Sequence, residues 1–296
     1  MRLQRYAGNP VLQPNPAHPW EALNVFNAAV VPHNGLFHML YRAQGGDYVS
    51  HIGYAASPDG LTWWRMDRPV LSPASSEEAR GVEDPRVSRL GDSWYMVYTA
   101  YSSQGIRVAL AATENFLTWQ RMGIILPGED NKDAGLFPEK VGGRYCLLHR
   151  RPPAIWLAYS DDLLHWENHR VVMHPLPGTW ESARIGIAGP PIRTPQGWLL
   201  VYHGVDTANV YRLGVALLDL DDPTVVRCRQ AEPILEPQEA WELKGDVPNV
   251  VFSDAALLRE DGALWIYYGG ADRCMGLAIA SPEQVRSFLE GGGSEE

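Results

Sequence analysis

Cysteine is scarce in this chain of 296 residues: Cys146, Cys228 and Cys274 are odd in number and scattered. That excludes a disulfide scaffold, and no Cys-x-x-Cys or Cys/His spacing suggests zinc. No run of about 18 apolar residues occurs, so no membrane-spanning helix is expected. Met1-Arg2-Leu3-Gln4-Arg5 lacks the apolar stretch of a signal peptide. A reducing cytoplasm is the expected compartment. Positive charge is also short, with 25 Lys and Arg against 35 Asp and Glu and a net charge of −10. A nucleic-acid or anionic-membrane surface would need a basic stripe, so neither partner is expected. Any anionic ligand needs a local cluster of cations against that field. No Gly-x-x-x-x-Gly-Lys-Ser/Thr loop is present, which argues against nucleotide phosphates. The nine histidines are spread singly. No metal and no organic cofactor is expected.

Turn formers and aromatics are plentiful: 28 Gly, 23 Pro, 11 Trp and 13 Tyr. They favour short strands and many turns over helices. The runs repeat. Asn27 to Val31, Phe37 to Arg42 and His51 to Ser57 make a first unit, closed by a turn into Trp63. Asp84 to Val87, Trp94 to Thr99 and Arg107 to Thr113 repeat it, closing at Trp119. Three further units hold Arg144 to Arg150, Gly197 to His203 and Leu264 to Gly269 as their second runs. Each unit has three or four short runs rich in β-branched and aromatic residues. Five such units predict an all-β fold, a five-bladed β-propeller forming one domain over residues 1–290. A short C-terminal helix is expected over Pro282 to Phe288, then a flexible tail over 291–296. The Ser-x-Asp-Gly-x-x-Trp turn at Ser57 to Trp63 recurs loosely at Thr113 and Ser160, and reads as a structural turn around a buried Trp.

Laid over one another, the units give a functional signal. Their second runs end at Arg42, Thr99, Arg150, His203 and Gly269, and fifteen residues earlier stand Asn27, Asp84, Gly135, Ala188 and Asp254. A purely structural position would repeat one apolar type. Here polar and cationic residues gather where propeller strands converge on the axis. Lys132, Lys140, Arg150, Arg151, Arg184 and His203 can supply cations, and Arg offers a fork suited to phosphate or carboxylate. Asp84, Glu83, Asn27 and Asp272 with many Trp and Tyr suit a sugar, through hydroxyl bonds and ring stacking. Asp84 lies in the densest charge cluster, Gly81-Val82-Glu83-Asp84-Pro85-Arg86. There Arg86 is expected to face Glu83 or a neighbouring blade. Glu139 and Lys140 read as a pair of adjacent opposite charges.

That cluster resembles, with four more segments, glycoside hydrolase family 130, the β-mannoside phosphorylases and some β-mannosidases. The others are Lys132 to Lys140, Gly189-Pro190-Pro191-Ile192, Tyr202-His203-Gly204-Val205-Asp206, and Gly245 to Phe252. The resemblance covers nearly the whole chain, in order, and its propeller agrees with the repeat. It implies that Asp84 is the single catalytic acid, passing its proton to the glycosidic oxygen through the 3-hydroxyl of the mannosyl unit. It implies mannosyl binding by Asn27, Arg42, Asp84 and Asp272. It implies phosphate binding by Lys132, Arg150, Arg184 and His203, the Arg184 match being looser because Lys is as frequent there. The expected activity is inverting phosphorolysis of a β-1,2- or β-1,4-mannoside, with inorganic phosphate as co-substrate and α-mannose 1-phosphate as product. The alternatives are an inverting β-mannosidase, with Glu139, Glu181 or Asp254 as base, and a non-catalytic sugar-binding propeller. A blade edge or the Pro-rich arm Pro10 to Pro19 is a candidate contact for a homo-oligomer.

Overall fold

The computed structural model describes residues 1–291. An arm strand β1 (Gln4–Arg5) precedes a first unit of β2 (Asn24–His33), β3 (Leu36–Gln44), β4 (Ser50–Ser57) and β5 (Trp64–Arg65). The second unit holds β6 (Gly81–Leu90), β7 (Ser93–Ser102), β8 (Gly105–Thr113) and β9 (Gln120–Leu126). The third holds β10 (Lys132–Leu136), β11 (Tyr145–Arg151), β12 (Ala154–Ser160) and β13 (Glu167–Met173). The fourth holds β14 (Arg184–Ile187), β15 (Ile192–Thr194), β16 (Gly197–Val205), β17 (Tyr211–Leu218) and β18 (Val226–Arg229). The fifth holds β19 (Val251–Leu258), β20 (Leu264–Gly270) and β21 (Cys274–Ala280).

Within each unit neighbouring strands are antiparallel, joined by short turns. Asn34 and Gly35 close the β2–β3 hairpin with φ of 49° and 77°, as an Asn-Gly two-residue turn requires. The fourth unit splits its first strand into β14 and β15 around Pro190 and Pro191, which have no N–H for the ladder. The fifth unit lacks a fourth strand of its own, and β1 supplies it, pairing Gln4 with Ile279 and Arg5 with Ala278. The first two units form one sheet only through the single parallel bridge of Ser50 with Gly81.

Apolar side chains gather in five clusters, each shared by two consecutive units; the one holding Val25, Met39, Tyr267 and Leu277 joins the fifth unit to the first. First strands contact one another in turn, β2 with β6, β6 with β10 and β10 with β14, and β19 packs on β2. The all-β expectation is met, together with the C-terminal helix α2 (Pro282–Gly291), whose Val285 and Phe288 are buried. The helix includes Gly291, the first residue of the expected tail, and the rest of that expectation, residues 292–296, lies outside the described residues. One short helix was not anticipated: α1 (Ala240–Leu243) packs ahead of the fifth unit. The three Trp turns are built as read, with Ser57, Thr113 and Ser160 hydroxyls accepting from turn amides, although their Trp rings are only partly buried. No described helix is long and apolar enough to cross a membrane.

Candidate active site

Four first strands share a bulge near their start. The ladder skips Asn27 on β2, Asp84 on β6, Asp133 on β10 and Asp254 on β19. Asn27, Asp84 and Asp133 have φ of 46°, 51° and 49°, the left-handed region that Asn and Asp tolerate best among residues with a Cβ. A bulge re-aims a side chain out of the ladder. At the same level the second strands present Arg42, Thr99, Arg150 and His203. The third unit therefore contributes Asp133, not Gly135, to this ring. In the fourth unit the ladder of β14 with β16 has no bulge at this level, and Gly186 rather than Ala188 faces His203.

Asp84 is the centre of one cluster and is 2% exposed. It accepts from Asn27 Nδ2 at 2.9 Å and from Arg42 Nη1 at 3.1 Å. The other arm of Arg42 holds Glu83 at 2.7 Å, and Ser50 bonds both Arg42 and Glu83. Burial raises the Asp84 carboxyl pKa, but Arg42, Lys132 and Arg86 together outweigh it and hold the group below the usual range. Asp272 has φ of 53° on the β20–β21 turn, which is tied to β2 by the Val25 amide bonding the Arg273 carbonyl at 3.1 Å. It feels Arg42, Asp84 and Lys132, and burial dominates, pushing its pKa up to about 6.

The second cluster is cationic. Arg150, 6% exposed, pairs with Asp133 at 2.8 Å, and His203 Nε2 lies 3.5 Å from the same oxygen. His203 is fully buried and packs on Phe252 with ring centroids 4.6 Å apart. Burial first, then Arg150, Arg86 and Lys132, push its pKa down to about 3 against the pull of Asp133. His203 is thus a neutral imidazole at neutral pH, a correction to its reading as a cation. Arg184 stacks on Tyr211 at 5.2 Å and donates to its hydroxyl at 2.7 Å, and the Tyr211 ring is 6.0 Å from His203. Lys132 neighbours Asp133 and lies opposite Arg150 on the ladder. Among the described residues, neither Lys132 nor Arg184 has a carboxylate within ion-pair distance.

Arg86 stands between the clusters, 1% exposed. It faces neighbouring units, as one of the two expectations had it. It pairs with Asp254 at 2.6 Å, approaches Asp133 at 3.7 Å, and donates to the carbonyls of Asp84, Ile187 and Ala188. Burial raises the Asp254 pKa well above the usual range, and Asp84 and Asp133 add to it against Arg86.

All eight residues singled out in the sequence fall on this end of the strands. The repeat missed Asp133 and Tyr211. The β-mannosidase alternative named three carboxylates as a base, and each faces an arginine. Glu139 pairs with Arg193 at 2.7 Å, while Lys140 sits over the Tyr145 ring, so these two do not pair with each other. Glu181 is held by Arg229, and Asp254 by Arg86.

Residues 2–290 match the family described as β-1,4-mannooligosaccharide phosphorylase. A 1,2-β-oligomannan phosphorylase of Thermoanaerobacter sp. (strain X514) is 47% identical over 97% of this chain and 99% of its own. A β-1,2-mannobiose phosphorylase of the same organism is 48% identical over 96% and 99%. Among solved structures, the β-1,2-mannobiose phosphorylase of Listeria innocua in complex with β-1,2-mannobiose superposes with a TM-score of 0.90 at 31% identity, covering 98% of this chain and 99% of that one.

Proposed function

The chain belongs to glycoside hydrolase family 130, and from that premise we propose that it is an inverting β-mannoside phosphorylase on a five-bladed β-propeller. Five antiparallel units and five shared cores, the last shared with the first, support the propeller. The mannosyl unit is held by Asn27, Arg42, Asp84 and Asp272, and phosphate by Lys132, Arg150, Arg184 and neutral His203.

One observation carries this reading. Among the described residues, two cations at the site, Lys132 and Arg184, have no carboxylate within ion-pair distance, while every carboxylate weighed as a base is engaged by an arginine. An inverting hydrolase needs an acid and a free base with water between them. A phosphorylase needs no base, because phosphate is already an anionic nucleophile, but it needs cations that hold the anion in line with the bond that breaks. A phosphate oxygen attacks the anomeric carbon on the face opposite the leaving sugar. The Asp84 proton passes through the mannosyl 3-hydroxyl to the departing glycosidic oxygen. The products are α-mannose 1-phosphate and a shortened acceptor.

The low proton affinity of Asp84 fits this order of events. Lys132 is one of the cations that depress it. Phosphate bound to Lys132 offsets that field and raises the Asp84 pKa when a proton is needed. The linkage proposed is β-1,2, on the names of the two relatives at 47% and 48% identity, although the family description names β-1,4. The buried thiols of Cys146 and Cys274 support a reducing, cytoplasmic setting.

The test is a product assay on β-1,2- and β-1,4-mannobiose with and without phosphate. The expected result is α-mannose 1-phosphate, formed only with phosphate and faster from the β-1,2 substrate. Free mannose at the same rate without phosphate would replace this reading with hydrolysis. Binding without turnover would replace it with a sugar-binding propeller.

A further inference from the structure

We infer that Asp133 is a positioning residue for the phosphate half of the reaction, fixing Arg150 and His203 where they receive the anion. The inference rests on the phosphorylase reading above. Asp133 occupies in the third unit the bulge position that Asp84 occupies in the second, with the same left-handed backbone. It is fully buried, and three groups from three units converge on it: Arg86 at 3.7 Å, Arg150 at 2.8 Å and His203 at 3.5 Å.

A buried carboxylate is stable only when cations and donors enclose it. Neither oxygen of Asp133 has a well-angled hydrogen bond, so charge rather than hydrogen-bond geometry holds the group. The fourth unit is shaped to admit it. A Cβ on Gly186 would lie 2.6 Å from Asp133 Oδ2 and 2.6 Å from His203 Cε1. Any residue but glycine there would push the carboxylate or the imidazole away.

A negative charge in an anion site has a physical use here. Arg86, Lys132 and Arg150 would repel one another if gathered with no counter-charge. Asp133 holds one arm of Arg150 from the buried side, and Arg150 is the more exposed of the two. Among the described residues, the Nε of Arg150 keeps no hydrogen-bond partner and Lys132 no carboxylate within ion-pair distance. The carboxylate thus pins the guanidinium and leaves these donors to the ligand. It acts through Arg150 and His203 and touches no reacting atom.

The test compares wild type with Asp133→Asn, which keeps size and removes charge. Initial rates are measured against phosphate at saturating β-mannobiose, and against β-mannobiose at saturating phosphate. Phosphate KM is expected to rise roughly 10- to 100-fold, with mannobiose KM within about twofold of wild type. The rise in melting temperature that phosphate gives the wild type should also be lost. Parallel changes in both KM values, or an unchanged phosphate KM, overturn the inference. Gly186→Ala crowds the same carboxylate without altering its charge and covers the case in which Asp133→Asn does not fold. It should raise phosphate KM selectively, and equal effects on both substrates overturn the inference. Wild-type turnover without phosphate, read first in the same assay, would retire the phosphorylase reading itself and is distinct from either variant's failure.

Discussion

Near its end each second strand carries two adjacent residues, and in several units they serve different parts of the molecule. Arg42, Arg150 and His203 belong to the site cluster. The residues just before them, Tyr41, His149 and Tyr202, with Tyr98 and Tyr268 of the other units, belong to a set of buried networks around it. In four units the tyrosine meets a buried Glu and an Arg from the last strand. These are Tyr41 with Glu21 and Arg65, Tyr98 with Glu78 and Arg121, Tyr202 with Glu181 and Arg229, and Tyr268 with Glu242 and Arg5. At Glu21, Glu78 and Glu242 both carboxylate oxygens are hydrogen-bonded. In the site cluster, Asn27 Oδ1, His203 Nδ1 and both oxygens of Asp133 and Asp254 have no such bond among the described residues. Both regions bury charge; three of the four triads close the valences of their carboxylate, while Glu181 Oε2 and Arg229 Nη2 in the fourth stay open, as the groups of the site cluster do. Saturated networks fix strands in place, and buried groups left open keep bonding capacity for something else.

The third unit sharpens the contrast. Its triad is replaced by a neutral chain, Asn131 to His149 at 2.9 Å and His149 to His169 at 3.0 Å. Asn131 and His149 directly precede Lys132 and Arg150. A buried Glu there would offset the two cations. The unit keeps its acid, Glu129, at the exposed rim on Arg151 instead.

Matched variants give the largest expected separation between the two regions. Asp84→Asn should lower kcat by about 10²- to 10⁴-fold, the contribution typical of a general acid, with the melting temperature nearly unchanged. Glu242→Gln should do the reverse. It breaks a buried pair with Arg5 and costs about 2–4 kcal/mol in stability, while the folded fraction keeps its kcat within about twofold. Steady-state kinetics and denaturant melts on both proteins check this. If each variant lost activity and stability together, the division between scaffold and site would fail.

What the sequence revealed follows the same line. Arg42, Arg150 and His203 were legible because they hold equivalent ladder positions in three of the units. Asn27 and Asp84 were legible because their hairpins have equal lengths, fifteen residues to the strand end. Asp133 stands 17 residues before Arg150, because its hairpin is longer, and a fixed offset landed on Gly135. The charge state of His203 was not legible, since burial sets it and no local residue announces burial. The triads did leave a mark, in Trp20-Glu21, Trp180-Glu181 and Trp241-Glu242, each Trp stacking on its tyrosine. Taken singly, Glu181 looked like a candidate base; taken as a repeat, it is scaffold.

The smallest effect tests the exceptional third unit. Burial, with His169 and Arg151 adding to it, pushes the His149 pKa down to about 3, so the folded protein keeps this ring neutral. The unfolded chain takes up a proton near the ordinary value of about 6.5. Between those limits the unfolded state binds more protons, so this group's contribution is full above pH 6.5 and is lost as pH falls. The limiting slope is about 1.4 kcal/mol per pH unit. His203 and His169 act in the same direction. Asp272, raised to about 6, acts in the opposite one, since its folded form keeps a proton that the unfolded form has released above pH 4. Only a difference between two proteins isolates His149. His149→Gln keeps a hydrogen-bonding side chain and removes the titration. Its stability deficit relative to wild type should be largest at pH 7 and shrink toward pH 5 in denaturant melts. A deficit that stays constant over that range would mean that His149 titrates in the fold as it does in the unfolded chain, so that the third unit takes on a charge by pH 5.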